Sequence, residues 1–416
     1  MISPGHDASS RTPIGPVSVL IAILGLAFAP QCFLFGATDW EKVYIPAAER
    51  LRSGESIYQD AFVYPPFAAM IALPATALPE SLWPSHFWSM NVFGGIGLLL
   101  VGWRFTGGRF AWFPPRRECW ITLLGLAASI GFVFDVLVNR QIDLAIAGAI
   151  LTGCWCLVNR REYAGATLIG LATAAKFTPL LFVPYLIWVG RWRAGLVVLL
   201  VAFGANLLPD LLFPPADGQI RLQVWVDRVI APTLGRDQNP GQWHAAIGFN
   251  HSLSGWVTRH GTSELILHDG KWDSRERANP PAPAALKVLV AGVSLGLLAV
   301  AAWATGRTRG VTPLGVGMTL CLMVLLSPMS SKPHFCVLVI PAWALARTAF
   351  ERRRGWLVAS SMAAGLGLLP NKDLLGGFAY DWVLWYGVIP LEVSVLFGGC
   401  AWAARRGAVT PPPAAS

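Results

Sequence analysis

The stretch TDWEKVYIPAAERLRSGESIY, from Thr38 to Tyr58, directly follows the first long apolar run of the chain. It opens with two acidic residues, Asp39 and Glu41, and continues as an amphipathic segment that stops at Gly54. A carboxylate just outside a membrane span is readily tolerated, because water and lipid head groups solvate it. If further loops cover it, the same carboxylate can act as a general base. Asp39 is therefore the first candidate for a catalytic residue.

Composition places the chain in a membrane. Of its 416 residues, 54% are hydrophobic and 13% are charged, whereas soluble proteins carry about 25% charged residues. Long apolar runs recur from end to end, so the bilayer acts as the solvent. The sequence predicts an all-α integral membrane protein, a polytopic helical bundle of about ten full spans with additional short re-entrant or interfacial helices.

The apolar runs give the candidate spans. Phe67–Leu78 is too short to cross, and Ala164–Ala175 and Phe177–Val189 are interpreted as one short hairpin that meets at Lys176. The candidate full spans are Val17–Phe35, Phe87–Phe105, Cys119–Val138, Leu144–Val158, Ala194–Phe213, Ala285–Thr305, Val311–Leu326, Phe335–Phe350, Trp356–Leu369 and Trp382–Ala403.

The formal charge of +9 reports topology, not a nucleic-acid partner, because Arg residues cluster in short loops between apolar runs. With both termini in the cytoplasm, those clusters are cytoplasmic and the loops rich in other polar residues lie on the outer face. We expect one multispan domain over residues 1–416. Within it we expect an outer catalytic loop with an interfacial helix at 37–66, an outer surface segment at 214–284 and a disordered cytoplasmic tail at 407–416.

Three cations on or near the outer face stand out. Arg140 and Lys332 break the positive-inside pattern, so each needs an anionic partner, and a lipid phosphate or Asp143 would serve Arg140. Lys176 lies at the apex of the short hairpin, where an ionisable residue is a functional candidate.

Each candidate also has a purely structural interpretation. Thr38 or Asp39 would make a good helix N-cap, and the run from Asn139 to Asp143 can be a simple polar turn. Lys176 can extend its ammonium group to an interface. The seven Cys are scattered and typical of small buried hydrophobic residues, and no His or Cys spacing indicates a metal site. No metal and no cofactor are expected.

Several motifs follow one another in a single order along most of the chain. They are the Asp39 stretch, YPPFAAMIALPATALP, NRQIDLAIAGAIL, GATLIGLATAAKFTPLLFVPYLIWVGRWR, NHSLSGWVTR and SPMSSKPHFCVLVIPAWAL. In this order they resemble glycosyltransferase family 87 of the GT-C superfamily, the bacterial α-mannosyltransferase-like group. Two motifs depart from the family pattern: NRQID stands where the family has a Gly-Gln-x-Asn-like motif, and Ser331-Lys332-Pro333 precedes His334.

The resemblance implies an enzyme of the bacterial cytoplasmic membrane with its active site in outer loops. The donor would be a polyprenyl phosphate carrying a sugar, typically mannose, and the acceptor a glycolipid or polysaccharide. Transfer would invert the anomeric centre, with Asp39 as the base and His334 as a second catalytic residue, and cations would stabilise the phosphate leaving group. The substrate-binding residues would be Glu41, Tyr44, Tyr64, Asn139, Arg140, Gln141, Lys176, Asn250, Ser252 and Lys332.

Two other functions are compatible with a polytopic chain. A transporter or flippase for lipid-linked sugars would favour polar residues spread through the spans and a pseudo-symmetric repeat of two halves. A polytopic scaffold without chemistry leaves Arg140, Lys332 and the hairpin with Lys176 unexplained.

Overall fold

A computed structural model describes residues 36–59, 61–110, 114–232, 247–306, 310–352 and 355–406. The predicted first span, Val17–Phe35, and the predicted tail at 407–416 lie outside these ranges. All structural statements below concern the described residues.

The described chain is mostly helical. The helices are α1 (Ile45–Ser53), α2 (Pro66–Thr76), α3 (Trp83–Ile96), α4 (Arg116–Ala127), α5 (Ile130–Asn139), α6 (Asp143–Val158), α7 (Glu162–Ala175), α8 (Phe182–Trp188), α9 (Trp192–Leu212), α10 (Arg221–Trp225), α11 (Leu253–Thr262), α12 (Pro283–Thr305), α13 (Pro313–Leu325), α14 (Val339–Arg352), α15 (Trp356–Leu368), α16 (Lys372–Tyr386) and α17 (Val388–Arg405). A single further α-helical turn spans Gly102–Phe105. Wider π-helical turns occur at Trp40–Tyr44, Gly97–Val101 and Val226–Ile230, and tighter 3-10 turns at Glu80–Leu82, Thr178–Leu181 and Lys332–Leu338.

Four described helical segments are long and apolar enough to cross a membrane: α9, α12, α17 and Lys332–Glu351, which joins a 3-10 turn to α14. The bent pair α4–α5 makes a fifth if it counts as one span. The predicted count of about ten full spans is therefore not confirmed. Several predicted spans are short helices instead: α13 and α15 have 13 residues each, which is about 20 Å of rise against the roughly 30 Å of a hydrocarbon core. The predicted span Trp382–Ala403 is interrupted by Gly387, which adopts a left-handed conformation with φ +88° between α16 and α17.

Helix α7 is held on both sides by glycine contacts. A Cβ atom at Gly165 would lie 2.6 Å from the backbone oxygen of Gly153 in α6, and one at Gly170 would lie 2.7 Å from Val201 in α9. Small residues at these points let the helix backbones approach closely, as in membrane helix pairs. The close packing fixes the end of α7, where the chain breaks and extends at Lys176 (φ −146°, ψ +112°).

The segment after α9 covers the loop that follows α1. Arg221 at the start of α10 pairs with Asp210 at 2.8 Å, so the chain folds back beside the end of α9. The indole of Trp225 donates to the carbonyl of Val63 at 3.0 Å, and Arg228 donates to the carbonyl of Tyr58 at 3.1 Å. These contacts place 214–232 over the predicted catalytic loop.

An antiparallel hairpin interrupts the all-α pattern that the sequence predicts. Strand β1 (Ser263–His268) pairs with β2 (Lys271–Glu276), with His268 opposite Lys271. The two turn residues, Asp269 and Gly270, both have positive φ, +48° and +73°, which is the conformation of a type I′ turn. An Asp-Gly pair between β-forming residues is a hairpin signal that is readable in the sequence, and the composition-based prediction of helix alone missed it.

We expect Gly165→Ala to destabilise the protein by about 1 to 3 kcal/mol, because the new methyl group collides with backbone in α6. Gly204→Ala on α9 is the matched control: a Cβ there meets nothing within 4 Å, so stability should stay the same or rise slightly. The measurement is the midpoint of thermal unfolding of the purified proteins in one detergent. Equal midpoints for the two variants would contradict the packing argument.

Candidate active site

The candidate base lies at the start of the first described helical turn. Trp40 is completely buried and stacks on His86, with ring centroids 5.6 Å apart, which fixes the backbone next to Asp39. Asp39 occupies the N-cap position, but its side chain makes no capping hydrogen bond. Its carboxylate instead accepts a hydrogen bond from the side-chain amide of Gln141. The capping interpretation of Asp39 therefore does not account for its carboxylate.

Glu41 and Asp39 bind different partners. One carboxylate oxygen accepts a hydrogen bond from the backbone N–H of Thr38 at 3.0 Å. The other pairs with the guanidinium of Arg140, whose side chain is 3% exposed. The outer Arg140 thus has a protein carboxylate as partner, supplied by Glu41 and not by Asp143.

The connection between α5 and α6 carries most of the site. Helix α5 ends at Asn139, and Arg140 takes a left-handed backbone conformation with φ +51°, which costs a non-glycine residue about 1 to 2 kcal/mol. This turn buries Arg140, Gln141 and Asp143. Asn139 stays exposed, and its amide donates to the carbonyl of Asp135 in its own helix at 2.9 Å. The structure brings the other polar residues of this loop together but leaves Asn139 outside.

Gln141 bridges Asp39 to an aromatic pair. Its amide oxygen accepts a hydrogen bond from the hydroxyl of Tyr64 at 3.2 Å, while its amide nitrogen donates to Asp39. Tyr64 stacks on Tyr44, with ring centroids 4.9 Å apart. Tyr44 is fully buried, so it supports Tyr64 from behind.

Lys176 follows the end of α7, and its side chain reaches the same group of residues. Its ammonium nitrogen lies 2.7 Å from Asp143 and 5.8 Å from the centre of the Tyr64 ring. Both Lys176 and Asp143 are 6% exposed. Asp143 was not among the predicted binding residues, although an ionisable residue at the edge of an apolar run signals a need for a partner.

His334 completes this group. Its Nδ1 accepts a hydrogen bond from the backbone N–H of Ser331 at 2.9 Å, and its Nε2 lies 3.9 Å from Asp143. A neutral imidazole whose Nδ1 is an acceptor carries its proton on Nε2. His334 therefore presents an N–H donor toward Asp143, the carboxylate that also pairs with Lys176.

Lys332 is bound to protein groups as well. It lies 2.9 Å from Asp135 in α5 and donates to the hydroxyl of Tyr380 at 3.3 Å. The anion that the sequence predicted for Lys332 is thus Asp135 in this structure. Asp135 sits inside an apolar run, which is the signal that could have identified it.

Asn250 and Ser252 hold a loop and do not join the cluster around Asp39. The amide of Asn250 donates to the carbonyl of Pro328 at 3.1 Å and accepts from the backbone N–H of Ser330. The hydroxyl of Ser252 caps α11 by accepting from Gly255 at 3.0 Å. Both residues are completely buried. They fix the loop that precedes Lys332 and His334.

A largely apolar cleft opens beside the cluster. Its polar lining includes Tyr64, Lys176 and His334. Its apolar lining is made of Val63, Pro65, Phe177, Trp225, Val229, Ile230, Pro328 and Met329. Asp39 connects to this cleft through the Gln141–Tyr64 hydrogen bonds. A ligand with a long apolar chain and an anionic group fits such a lining.

Burial dominates the electrostatics of Asp39. Desolvation raises the pKa of its carboxyl group above the usual range, although the hydrogen bond from Gln141 and the charge of Lys176 pull that pKa down. Asp39 is thus a stronger base than an exposed aspartate. Among the residues that the structure describes, no three His, Cys, Asp or Glu side chains are grouped as metal ligands would be.

The chain matches known proteins over most of its length. Residues 62–328 match the model of glycosyltransferase family 87. A polyprenol-phosphate-mannose-dependent alpha-(1-2)-phosphatidylinositol pentamannoside mannosyltransferase of Mycobacterium tuberculosis is 25% identical over 358 residues, 83% of this chain and 74% of the relative. The protein of the same description from Mycolicibacterium smegmatis is 24% identical, with 97% of this chain and 95% of the relative covered.

A solved structure is also similar. The crystal structure of ArnT from Cupriavidus metallidurans bound to undecaprenyl phosphate has 14% sequence identity and a TM-score of 0.45, with 94% of this chain and 78% of that chain covered.

We expect the two neighbouring carboxylates to differ in their effect on stability. Glu41→Gln removes the carboxylate that pairs with buried Arg140 and should destabilise the protein by about 2 kcal/mol. Asp39→Asn should not destabilise it at pH 7, because a carboxyl group whose pKa is raised by folding contributes stability below that pKa and loses it as the pH rises. Thermal unfolding midpoints measure both. A larger loss for Asp39→Asn than for Glu41→Gln would contradict this assignment.

Proposed function

The chain belongs to glycosyltransferase family 87, and we propose that it moves mannose from a polyprenyl-phosphate donor to a glycolipid acceptor, with Asp39 as the general base. One observation carries the proposal: Asp39 is held by the neutral amide of Gln141, which also binds Tyr64, and Tyr64 lines an apolar cleft together with Lys176. Asp39 and His334 flank the range that matches the family, 62–328. Their roles therefore rest on their geometry in this chain.

The proposed reaction needs one base and one leaving-group site. The acceptor hydroxyl oxygen attacks C1 of the sugar from the face opposite the phosphate, so the configuration at C1 inverts. The C1–O bond to the phosphate breaks, and its electron pair stays on the phosphate oxygen. The proton of the acceptor hydroxyl passes to Asp39, which the raised pKa makes suited to receive it.

Lys176 and His334 are suited to the phosphate. An ammonium group has three N–H donors, and Asp143 takes one of those of Lys176. The Nε2–H of His334 lies on the same side, and both residues line the apolar cleft. The polyprenyl chain would occupy the apolar lining, with its phosphate at these donors. Donors fixed before the reaction stabilise the charge that develops on a leaving phosphate without reorganisation.

The descriptions of the two relatives support a glycolipid acceptor. Both mannosyltransferases act, by their descriptions, on a phosphatidylinositol pentamannoside, which is a glycolipid. A glycolipid acceptor would approach from the outer face, where the charge pattern of the loops leads us to expect the site. The descriptions of the two relatives name transferases and do not favour the transporter alternative.

We expect Asp39→Asn to lower transfer by about 10²- to 10⁴-fold, the usual contribution of a general base. The measurement uses full-length protein in nanodiscs, radiolabelled polyprenyl-phosphate-mannose and a mannosylated phosphatidylinositol acceptor. Glu49→Gln is the control, because Glu49 is an exposed carboxylate on α1 and should leave the rate unchanged. Equal rates for wild type and Asp39→Asn would move the base elsewhere, and donor transport without transfer would favour the flippase.

We also expect the rate to depend on pH through Asp39. The base must be ionised, so kcat/KM should fall as the pH drops through a pKa that lies above the ordinary aspartate value of about 4. Gln141→Ala removes a hydrogen bond that lowers this pKa, so the acidic limb should move to higher pH while the rate recovers on the alkaline side. An acidic limb that does not move in Gln141→Ala would show that Gln141 does not tune Asp39.

A further inference from the structure

A second cleft lies away from the Asp39 cluster, between the β-hairpin and α16. It has a volume of about 390 Å³, which falls within the ~300–1,000 Å³ of small-molecule sites. Its lining includes Phe249, Trp272, Asp273, Tyr380, Asp381 and Trp385. Aromatic rings and carboxylates thus face one space.

The aromatic walls are fixed by neighbouring groups. The indole of Trp272 donates to the carbonyl of Phe378 at 2.9 Å and stacks on the Phe378 ring at 4.8 Å. Trp385 has the guanidinium of Arg259 5.5 Å from its ring centre. Rings held in this way present a binding surface without a large loss of side-chain entropy on binding.

The chemistry of the lining favours a neutral sugar. A pyranose ring has an apolar C–H face that packs on aromatic rings and a rim of hydroxyl groups that can donate hydrogen bonds. Asp273 and Asp381 supply the acceptors for such hydroxyl groups. The same two carboxylates would repel a phosphate, so the lining suits a sugar and not the anionic part of a lipid.

The cleft adjoins the candidate active site. Tyr380 in its wall contacts Lys332 at 3.3 Å, and Lys332 is two residues before His334, which lines the apolar cleft. The two clefts have different linings, one apolar with Lys176 and one aromatic with carboxylates. A donor in the first would leave the second for another substrate.

We propose that the cleft between the hairpin and α16 binds a neutral sugar unit of the acceptor glycan. This inference rests on the proposed function, because it assigns the acceptor of the same reaction. It gives the hairpin, which lies outside the six motifs quoted from the sequence, a role in the choice of acceptor.

The test uses the double variant Asp273→Asn/Asp381→Asn, in which two exposed carboxylates become amides of the same shape. The control is Asp373→Asn, an exposed carboxylate in the first turn of α16. All are studied as full-length protein in nanodiscs. Binding of mannobiose is measured by saturation-transfer NMR without donor, and transfer kinetics are measured separately.

We expect the double variant to bind mannobiose about tenfold more weakly and to show a rise of about tenfold in acceptor KM, because it loses hydrogen bonds to charged acceptors. Its kcat and donor KM should stay the same, and Asp373→Asn should match wild type. Mannobiose binding that the double variant does not weaken, or a loss confined to kcat or donor KM, would overturn the proposal. A third result is that the double variant binds mannobiose more weakly but wild type transfers no mannose from the donor. That result would support the cleft as a sugar site and contradict the proposed function.

Discussion

The connection between α5 and α6 joins the segments of the site through paired charges. Arg140 and Asp143 of this connection bind Glu41 and Lys176, and Asp135 in the middle of α5 binds Lys332. Each partner comes from a different part of the chain. A buried charge is tolerated only where an opposite charge or hydrogen bonds replace water. This requirement brings the Asp39 turn, the broken end of α7 and the Lys332 loop against α5 and the short connection that follows it.

Asp39 stands apart from this pattern. The carboxylates of Glu41, Asp135 and Asp143 each pair with a cation, whereas the side-chain partner of Asp39 is the neutral amide of Gln141. Asp39 is partly buried against this amide, keeps a raised pKa and can take up a proton. The partners thus separate the catalytic candidate from the structural carboxylates around it.

The two clefts described above have linings of opposite character. The first is apolar and has Lys176 and His334 in its lining, and the second is aromatic and carries Asp273 and Asp381. Asn250 and Ser252 both donate to the carbonyl of Pro328 in the loop before His334, and both are completely buried. The difference in charge would direct a lipid phosphate to the first cleft and a neutral sugar to the second.

The sequence by itself determined the features that depend on local composition. The apolar runs predicted helices for a bilayer, the low content of charged residues excluded a soluble protein, and the isolated Lys176 marked the break after α7. The ordered motifs predicted the glycosyltransferase family, which the match over 62–328 confirms. The position of Asp39 directly after an apolar run predicted it as the base. The Asp-Gly pair of the hairpin is a local signal in the sequence, but the helical prediction did not use it.

Only the tertiary structure decided which charges meet. Glu41 and Arg140 are 99 positions apart, and Lys332 and Asp135 lie on separate helical segments, so no local pattern could pair them. The tertiary structure also decided how many apolar runs form long helices. An apolar run can become a short helix buried by its neighbours, as α13 does, or two helices separated at Gly387. Hydropathy measures how apolar a run is, whereas helix packing and the pairing of buried charges determine where it bends and what it faces.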